Sequence, residues 1–110
     1  MTEQGKKYLS DILRAIELID QFSVSVNTYN DYLSDFKTQS AVERQLGITG
    51  EAVNKFDKLF PDSPIENARQ IVGFRNRLIH AYDAIDSSIV WAIIKKHLSP
   101  LKIEITEKSG

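Results

Sequence analysis

Thr38-Gln39-Ser40-Ala41-Val42-Glu43-Arg44-Gln45-Leu46-Gly47-Ile48-Thr49-Gly50-Glu51-Ala52-Val53-Asn54-Lys55-Phe56-Asp57-Lys58-Leu59-Phe60 is the stretch on which the fold turns. Val42, Leu46, Thr49, Val53, Phe56 and Phe60 recur at alternating steps of four and three residues. That spacing lines them up along one side of a helix as a heptad-like seam. The pattern predicts a long helix over about Thr38 to Phe60 with its seam against other helices. Gly47 and Gly50 lower the stability of that helix, by about 1 kcal/mol each relative to alanine. A missing side chain is useful there if a neighbouring helix comes close.

Three more helical segments lie on either side. The first runs from about Lys6 to about Val26, where Leu9, Ile12, Leu13, Ile16, Ile19 and Phe22 form an amphipathic stripe. Its end also alternates like a strand at Ser23-Val24-Ser25-Val26, but no hairpin partner follows, so helix is preferred. Asp31-Tyr32-Leu33 reads as a connector of one turn. The next segment opens at Ser63-Pro64-Ile65-Glu66, with Ser63 as N-cap, Pro64 in the first helical position and Glu66 completing a capping box. It should continue to about Ala81, with Ile71, Val72, Phe74, Leu78 and Ile79 as a broad apolar face. The last starts near Asp86 and uses Ile89, Val90, Ile93, Ile94 and Leu98. Pro100 ends or kinks it, or Ser99-Pro100 restarts a short final helix carrying Leu101 and Ile105. No repeat, low-complexity tract or convincing strand interrupts the pattern. The expected fold is all-α, a four-helix bundle (five with a short C-terminal helix), forming a single domain over residues 1–110.

Composition narrows the chemistry. Hydrophobic residues are 42% and charged residues 26%, the balance of a soluble globular domain. There is no cysteine and there are only two histidines, His80 and His97. Disulfides and thiolate metal sites are excluded, and neither a metal nor a cofactor is expected. No apolar run reaches membrane-spanning length and the N-terminal residues lack a signal-peptide layout, so the expected compartment is the cytoplasm. The net charge of −1 argues against a long nucleic-acid track and leaves room for a local contact.

The chemistry-bearing run is Arg75-Asn76-Arg77-Leu78-Ile79-His80-Ala81-Tyr82. Arg75 interrupts the stripe formed with Val72 and Ile79. A guanidinium keeps its charge, so Arg75 must meet an anion, reach solvent through a cleft or face a subunit interface. Asn76 and His80 lie about 40° apart around a helix, whereas Arg75 and His80 are about 140° apart. One straight helix does not bring Arg75 and His80 together, but a two-fold axis between chains could. Bland alternatives stand beside each residue. Arg-Asn-Arg also suits a solvated face, and a histidine near a helix C-terminus also serves the dipole. His97 reads as surface or dipole support, Trp91 as core or interface, and Asp83 with Asp86 as turn and cap.

Arg75-Asn76-x3-His80-x-Tyr82 resembles the Arg-x4-His-x-Tyr signature of the HEPN superfamily (higher eukaryotes and prokaryotes nucleotide-binding), in its HepT-like branch. Thr38-Gln39, Ala41-Val42, Arg44 and Gly50-Glu51-Ala52 are similar to the second helix of that branch. Ile71 to His80 is similar to its third, and Ile89-Val90-Trp91 to the start of its last. The resemblance spans about Lys6 to Leu101, and Ala81 stands where many relatives have glycine. It implies a HEPN-type helical bundle that pairs as a homodimer, with the motif helices lining an interface cleft. It also implies a metal-independent endoribonuclease toxin, partnered by a small nucleotidyltransferase antitoxin that silences it by adding AMP to Tyr82. The residue types suit that chemistry. His80 is the group of the motif suited to proton transfer near neutral pH, and Arg75 can hold a phosphate bidentately. Asn76 can orient the imidazole or hold a phosphate oxygen, and Arg77 is a second candidate phosphate contact or a surface residue. The alternative is a non-catalytic nucleotide- or substrate-binding subunit of a nucleotidyltransferase. A third is a helical dimerisation module with a vestigial motif.

Overall fold

The computed structural model describes residues 1–81, 83 and 85–110. Its elements are α1 (Glu3–Phe22), α2 (Tyr29–Leu33), α3 (Phe36–Leu59), α4 (Arg69–His80), α5 (Ser87–Ala92), a π-helical segment (Ile93–His97) and α6 (Leu98–Ser109). The architecture is the expected all-α bundle, without a strand among the described residues.

The seam of α3 is the centre of the core. Val42, Leu46, Thr49, Val53 and Phe56 are buried along it, and Phe60 closes the helix half-buried. Thr49 is polar in an apolar line, yet its hydroxyl donates to the Gln45 carbonyl at 2.8 Å, so nothing is left unpaired. Leu9, Ile12, Ile16 and Ile19 of α1 pack into the same core, as do Ile71 and Phe74 of α4 and Leu98, Leu101 and Ile105 of α6. Side-chain caps set the starts. Thr2 accepts the Gly5 N–H at 3.1 Å to open α1, and Asp35 accepts the Thr38 N–H at 3.0 Å to open α3. Thr28 and Asp31 form a reciprocal capping box around the single turn of α2. Asp86 opens α5 by accepting the Ser88 N–H at 2.8 Å.

Three local expectations are corrected, and at Pro100 the structure selects one of the stated alternatives. The first helix stops at Phe22 instead of near Val26, and the chain then turns so that Val26 is buried while Val24 stays 75% exposed. Ser63-Pro64-Ile65-Glu66 does not start a helix; α4 begins at Arg69, after an N-cap alanine that offers no side-chain bond. The N–H groups a helix start would have to cap are already taken. Asp57 accepts the Ile65 N–H at 2.9 Å, and the Glu104 carboxylate accepts the Glu66 and Asn67 N–H groups at 2.8 Å each. Those bonds fix the loop between α3 and α4 on α6 and bury Ile65 and Ala68. Pro100 neither ends the last helix nor sits in a plain kink. The π-helical turn just before it carries an N–H bond from Leu98 back to the Ile93 carbonyl. That wider register accommodates a residue which lacks an N–H and whose ring would strike the carbonyl four residues back. The helix resumes as α6 with Leu101 and Ile105 buried, which matches the restart alternative. Ile79, expected on the apolar face, is 55% exposed.

Glu104 yields a pH-dependent prediction. Burial alone would raise its carboxyl, but the N–H groups of Glu66 and Asn67 and the Asn67 amide outweigh that and hold it below the usual carboxylate range. A carboxyl lowered on folding stabilises the fold above its ordinary value of 4.5, and the benefit fades as pH falls through the lower folded value. Glu104→Gln is therefore expected to lower stability by about 1–2 kcal/mol at neutral pH. Urea midpoints of the two proteins should draw together as the pH is lowered progressively below 4.5.

Candidate functional site

Helix α4 runs antiparallel to α3 and comes close at the two glycines of the seam. A side chain at Gly47 would meet Leu78 at 3.3 Å, and one at Gly50 would lie 2.6 Å from Cβ of Arg75. Gly50 is thus occupied by the stem of Arg75. The stem being fixed there, the guanidinium reaches the residue next to Gly50, and Arg75 donates from Nη2 to Glu51 Oε2 across the two helices. Of the outcomes open to the stripe-breaking arginine, the structure shows the anion. The Arg75 side chain is 24% exposed and that of Glu51 41%, so the pair sits at the edge of the α3–α4 contact with one side open to solvent. The other Glu51 oxygen, Oε1, lies 3.7 Å from Lys55 Nζ.

Asn76 belongs to the same group. Its Oδ1 accepts from Arg75 Nη1 at 3.3 Å, although Asn76 itself is exposed. Around α4, Asn76 lies about 40° from His80. Asn76 thereby joins two faces of one helix: it touches the guanidinium on one side and shares its outward face with His80. His80 is the exposed last residue of α4. Among the described residues, the hydrogen bonds of Arg75 go to Glu51 and Asn76, not to His80. Arg77 points elsewhere. With Gln70, Gly73, Phe74 and Ile89 it lines a hollow of about 190 Å³ between α4 and α5. It also helps hold the Asp86 carboxyl below the usual range, an effect due first to the hydrogen bonds from the Ser88 hydroxyl and N–H. Tyr82, the expected point of modification, lies outside the described residues.

Glu51 was not singled out in the sequence, although it sits in one of the stretches that carry the resemblance. The available signal was its place beside Gly50, one step off the seam, where a side chain can reach a helix drawn in by the glycine. The other sequence candidates have structural roles. Asp86 is a cap, and Trp91 is half-buried against Tyr29 and Tyr32, with ring centroids 6.3 and 5.7 Å away and Lys95 Nζ 4.6 Å over its ring. His97 is half-buried at the end of the π-helical segment. Among the described residues no group of three or more His, Asp or Glu side chains is arranged to hold a metal ion, and no helix is long and apolar enough to cross a membrane.

Two isoleucines flank the Arg75–Glu51 pair. Ile79 follows Arg75 by one turn of α4, and Ile48, 39% exposed, precedes Glu51 by one turn of α3. The outer face of α3 and α4 therefore combines an ion pair with exposed apolar side chains.

Comparison with known proteins bears on this arrangement. A family model described as Ribonuclease HepT-like matches residues 12–107. A Thermococcus cleftensis protein named "Probable ribonuclease HepT" is 41% identical over 106 residues, which is 93% of each chain. A Methanocaldococcus jannaschii protein named "Putative RNase MJ1380" is 35% identical over 104 residues, covering 91% of this chain and 92% of its own. No solved structure matches the chain at a significant level. The match runs through α3, the Arg75–His80 helix and α6, and it shows that the chain belongs to the HepT-like family of the HEPN superfamily.

Proposed function

We propose that this chain is a metal-independent endoribonuclease that cleaves RNA in a cleft between two copies of itself. It would act as the toxin of a toxin–antitoxin pair in the cytoplasm. The observation that carries this is the placement of the motif: Arg75 is fixed between α3 and α4 by Gly50 and Glu51, while His80 stands on the outward face of the same helix. The names of the relatives point to RNA as substrate. In the proposed reaction the ribose 2′-oxygen attacks the adjacent phosphorus and the bond to the 5′-oxygen breaks, leaving a 2′,3′-cyclic phosphate and a 5′-hydroxyl. A His80 imidazole takes the 2′-proton or gives one to the leaving oxygen. Arg75 holds the phosphate oxygens, on which charge builds, with its unused N–H donors. Asn76 holds a phosphate oxygen or orients the imidazole. Arg77, on the hollow between α4 and α5, is assigned at most a peripheral phosphate contact.

A second copy supplies what one chain lacks. Because Arg75 and His80 lie about 140° apart on α4, a two-fold axis beside that helix would set Arg75 of one protomer against His80 of its partner. Exposed Ile79 and Ile48 supply apolar surface for such an isologous contact. Ile79→Glu is expected to convert a dimer to a monomer in light scattering and to abolish RNA cleavage, while helix content by circular dichroism stays unchanged. A monomeric parent protein at micromolar concentration would contradict the proposed interface.

Regulation is assigned to Tyr82, two residues beyond His80. AMP added there by a small nucleotidyltransferase partner would bring bulk and negative charge to the cleft and repel an RNA phosphate. The alternative, a non-catalytic nucleotide- or substrate-binding subunit of that enzyme, draws on the separation of Arg75 and His80 within one chain. One experiment distinguishes the two. Purified protein is incubated with RNA in EDTA and its products are analysed, then incubated with the nucleotidyltransferase and ATP and its intact mass is read. Cyclic-phosphate products that disappear after adenylylation support the ribonuclease. Adenylylation of a protein that never cleaves RNA supports the binding subunit.

A further inference from the structure

The ion pair across α3 and α4 has more parts than a surface salt bridge needs. Glu51 divides its two oxygens, Oε2 to Arg75 of α4 and Oε1 toward Lys55 of its own helix. Arg75 is held at both ends, its stem over Gly50 and its Nη2 on Glu51, while Nη1 turns to Asn76. An arginine side chain free in solvent samples many rotamers, and ordering it costs conformational entropy. Here that ordering is done before any ligand arrives. A guanidinium has five N–H donors in a planar fork, so engagement of Nη2 and Nη1 leaves further donors for a phosphate. A carboxylate beside the fork lowers the net charge offered to RNA, which weakens undirected attraction. It also fixes the plane in which a phosphate can be gripped.

We propose that Glu51 is a positioning residue of the ribonuclease site, setting the plane and reach of the Arg75 guanidinium for the scissile phosphate. This rests on the ribonuclease assignment above. Glu51 does not touch substrate and moves no proton; it acts through Arg75. Lys55, close to its other oxygen, keeps the carboxylate from swinging out to solvent. The energetic signature follows from that role. Exposed or half-exposed ion pairs add little to stability, so loss of Glu51 should hardly move the melting temperature. A misdirected phosphate clamp should instead lower turnover by about 10- to 100-fold, more in kcat than in KM.

The test uses full-length protein and four variants, Glu51→Ala, Glu51→Gln, Arg75→Ala and Arg75→Ala combined with Glu51→Ala. Cleavage of a short oligoribonucleotide in EDTA is measured for each. Glu51→Ala should lose about 10- to 100-fold in kcat. Glu51→Gln, which keeps an oxygen to accept from Arg75, should recover most of that loss. In the Arg75→Ala background the Glu51→Ala change should have no further effect, because the two act as a unit. Equal losses with and without Arg75, or a Glu51→Ala enzyme as fast as the parent, would overturn the proposal. A second readout separates this failure from failure of the ribonuclease assignment. The Arg75 Nε–H resonance, followed by NMR, should be ordered in the parent and averaged in Glu51→Ala whether or not RNA is cleaved. An unchanged resonance rejects the positioning role on its own.

Discussion

His80→Ala is expected to leave a folded protein whose RNA cleavage is slower by about 100- to 10,000-fold, the usual worth of a positioned proton-transfer group. The fold should tolerate the change because His80 is exposed and packs into no core. As the terminal residue of α4 it can help the helix only through the dipole, worth about 0.3–1 kcal/mol. A melting temperature lowered by no more than a few degrees, with cleavage abolished, therefore separates chemistry from folding. Cleavage at the parental rate would remove His80 from the site.

Gly50→Ala is the second large effect, and it runs against helix propensity. Alanine should favour an isolated α3 by about 1 kcal/mol. In the folded protein its new carbon would lie 2.6 Å from Cβ of Arg75 and 3.3 Å from the Ile71 carbonyl oxygen. Neither is the loose end of a flexible side chain, so α4 must move away from α3. Overpacking of this kind costs about 1–3 kcal/mol, which should exceed the propensity benefit and lower the melting temperature by several degrees. The loss of activity should be larger than the loss of stability, since a shift of about 1 Å in a phosphate-holding group can cost 100-fold. Gly73 provides the control. It lies exposed in α4, two residues before Arg75, with nothing within 4 Å of a side chain added there. Gly73→Ala is expected to raise the melting temperature and leave the Arg75–Glu51 pair intact. Thermal melts of both variants, alongside cleavage rates, check the pair of expectations.

What could be read in advance followed from periodicity. The four-three steps of Val42 to Phe60 set the long central helix, and the two glycines within it correctly signalled a close neighbour. That Arg75 needed an anion, a solvent cleft or an interface was also legible, because a guanidinium cannot be neutralised by losing its proton. The identity of that anion was not, since Glu51 lies 24 residues away and the pairing depends on how two helices cross. Ser63-Pro64-Ile65-Glu66 carried every local sign of a helix start and misled for the same reason. The carboxylate that captures its N–H groups comes from Glu104, 38 residues beyond Glu66. Ile79 continues the apolar pattern of α4 yet is exposed; in the proposed dimer it would face the second copy, and a hydrophobic stripe reads the same for a core and for a contact between chains. At Pro100 the sequence allowed an end, a kink or a restart, and the choice was made by a widened helical turn that leaves no mark in composition.

The most direct test mixes two inactive proteins. Arg75→Ala and His80→Ala chains are unfolded together, refolded, and assayed for RNA cleavage in EDTA. If each site takes Arg75 from one protomer and His80 from its partner, a mixed dimer has one intact site and one doubly defective site. Half of the dimers should be mixed, so about one quarter of the parental activity should return. Recovery near that level, from two proteins that are each inactive alone, is the predicted result. No recovery, with mixed dimers demonstrated by mass spectrometry, would contradict a cleavage site shared between two chains.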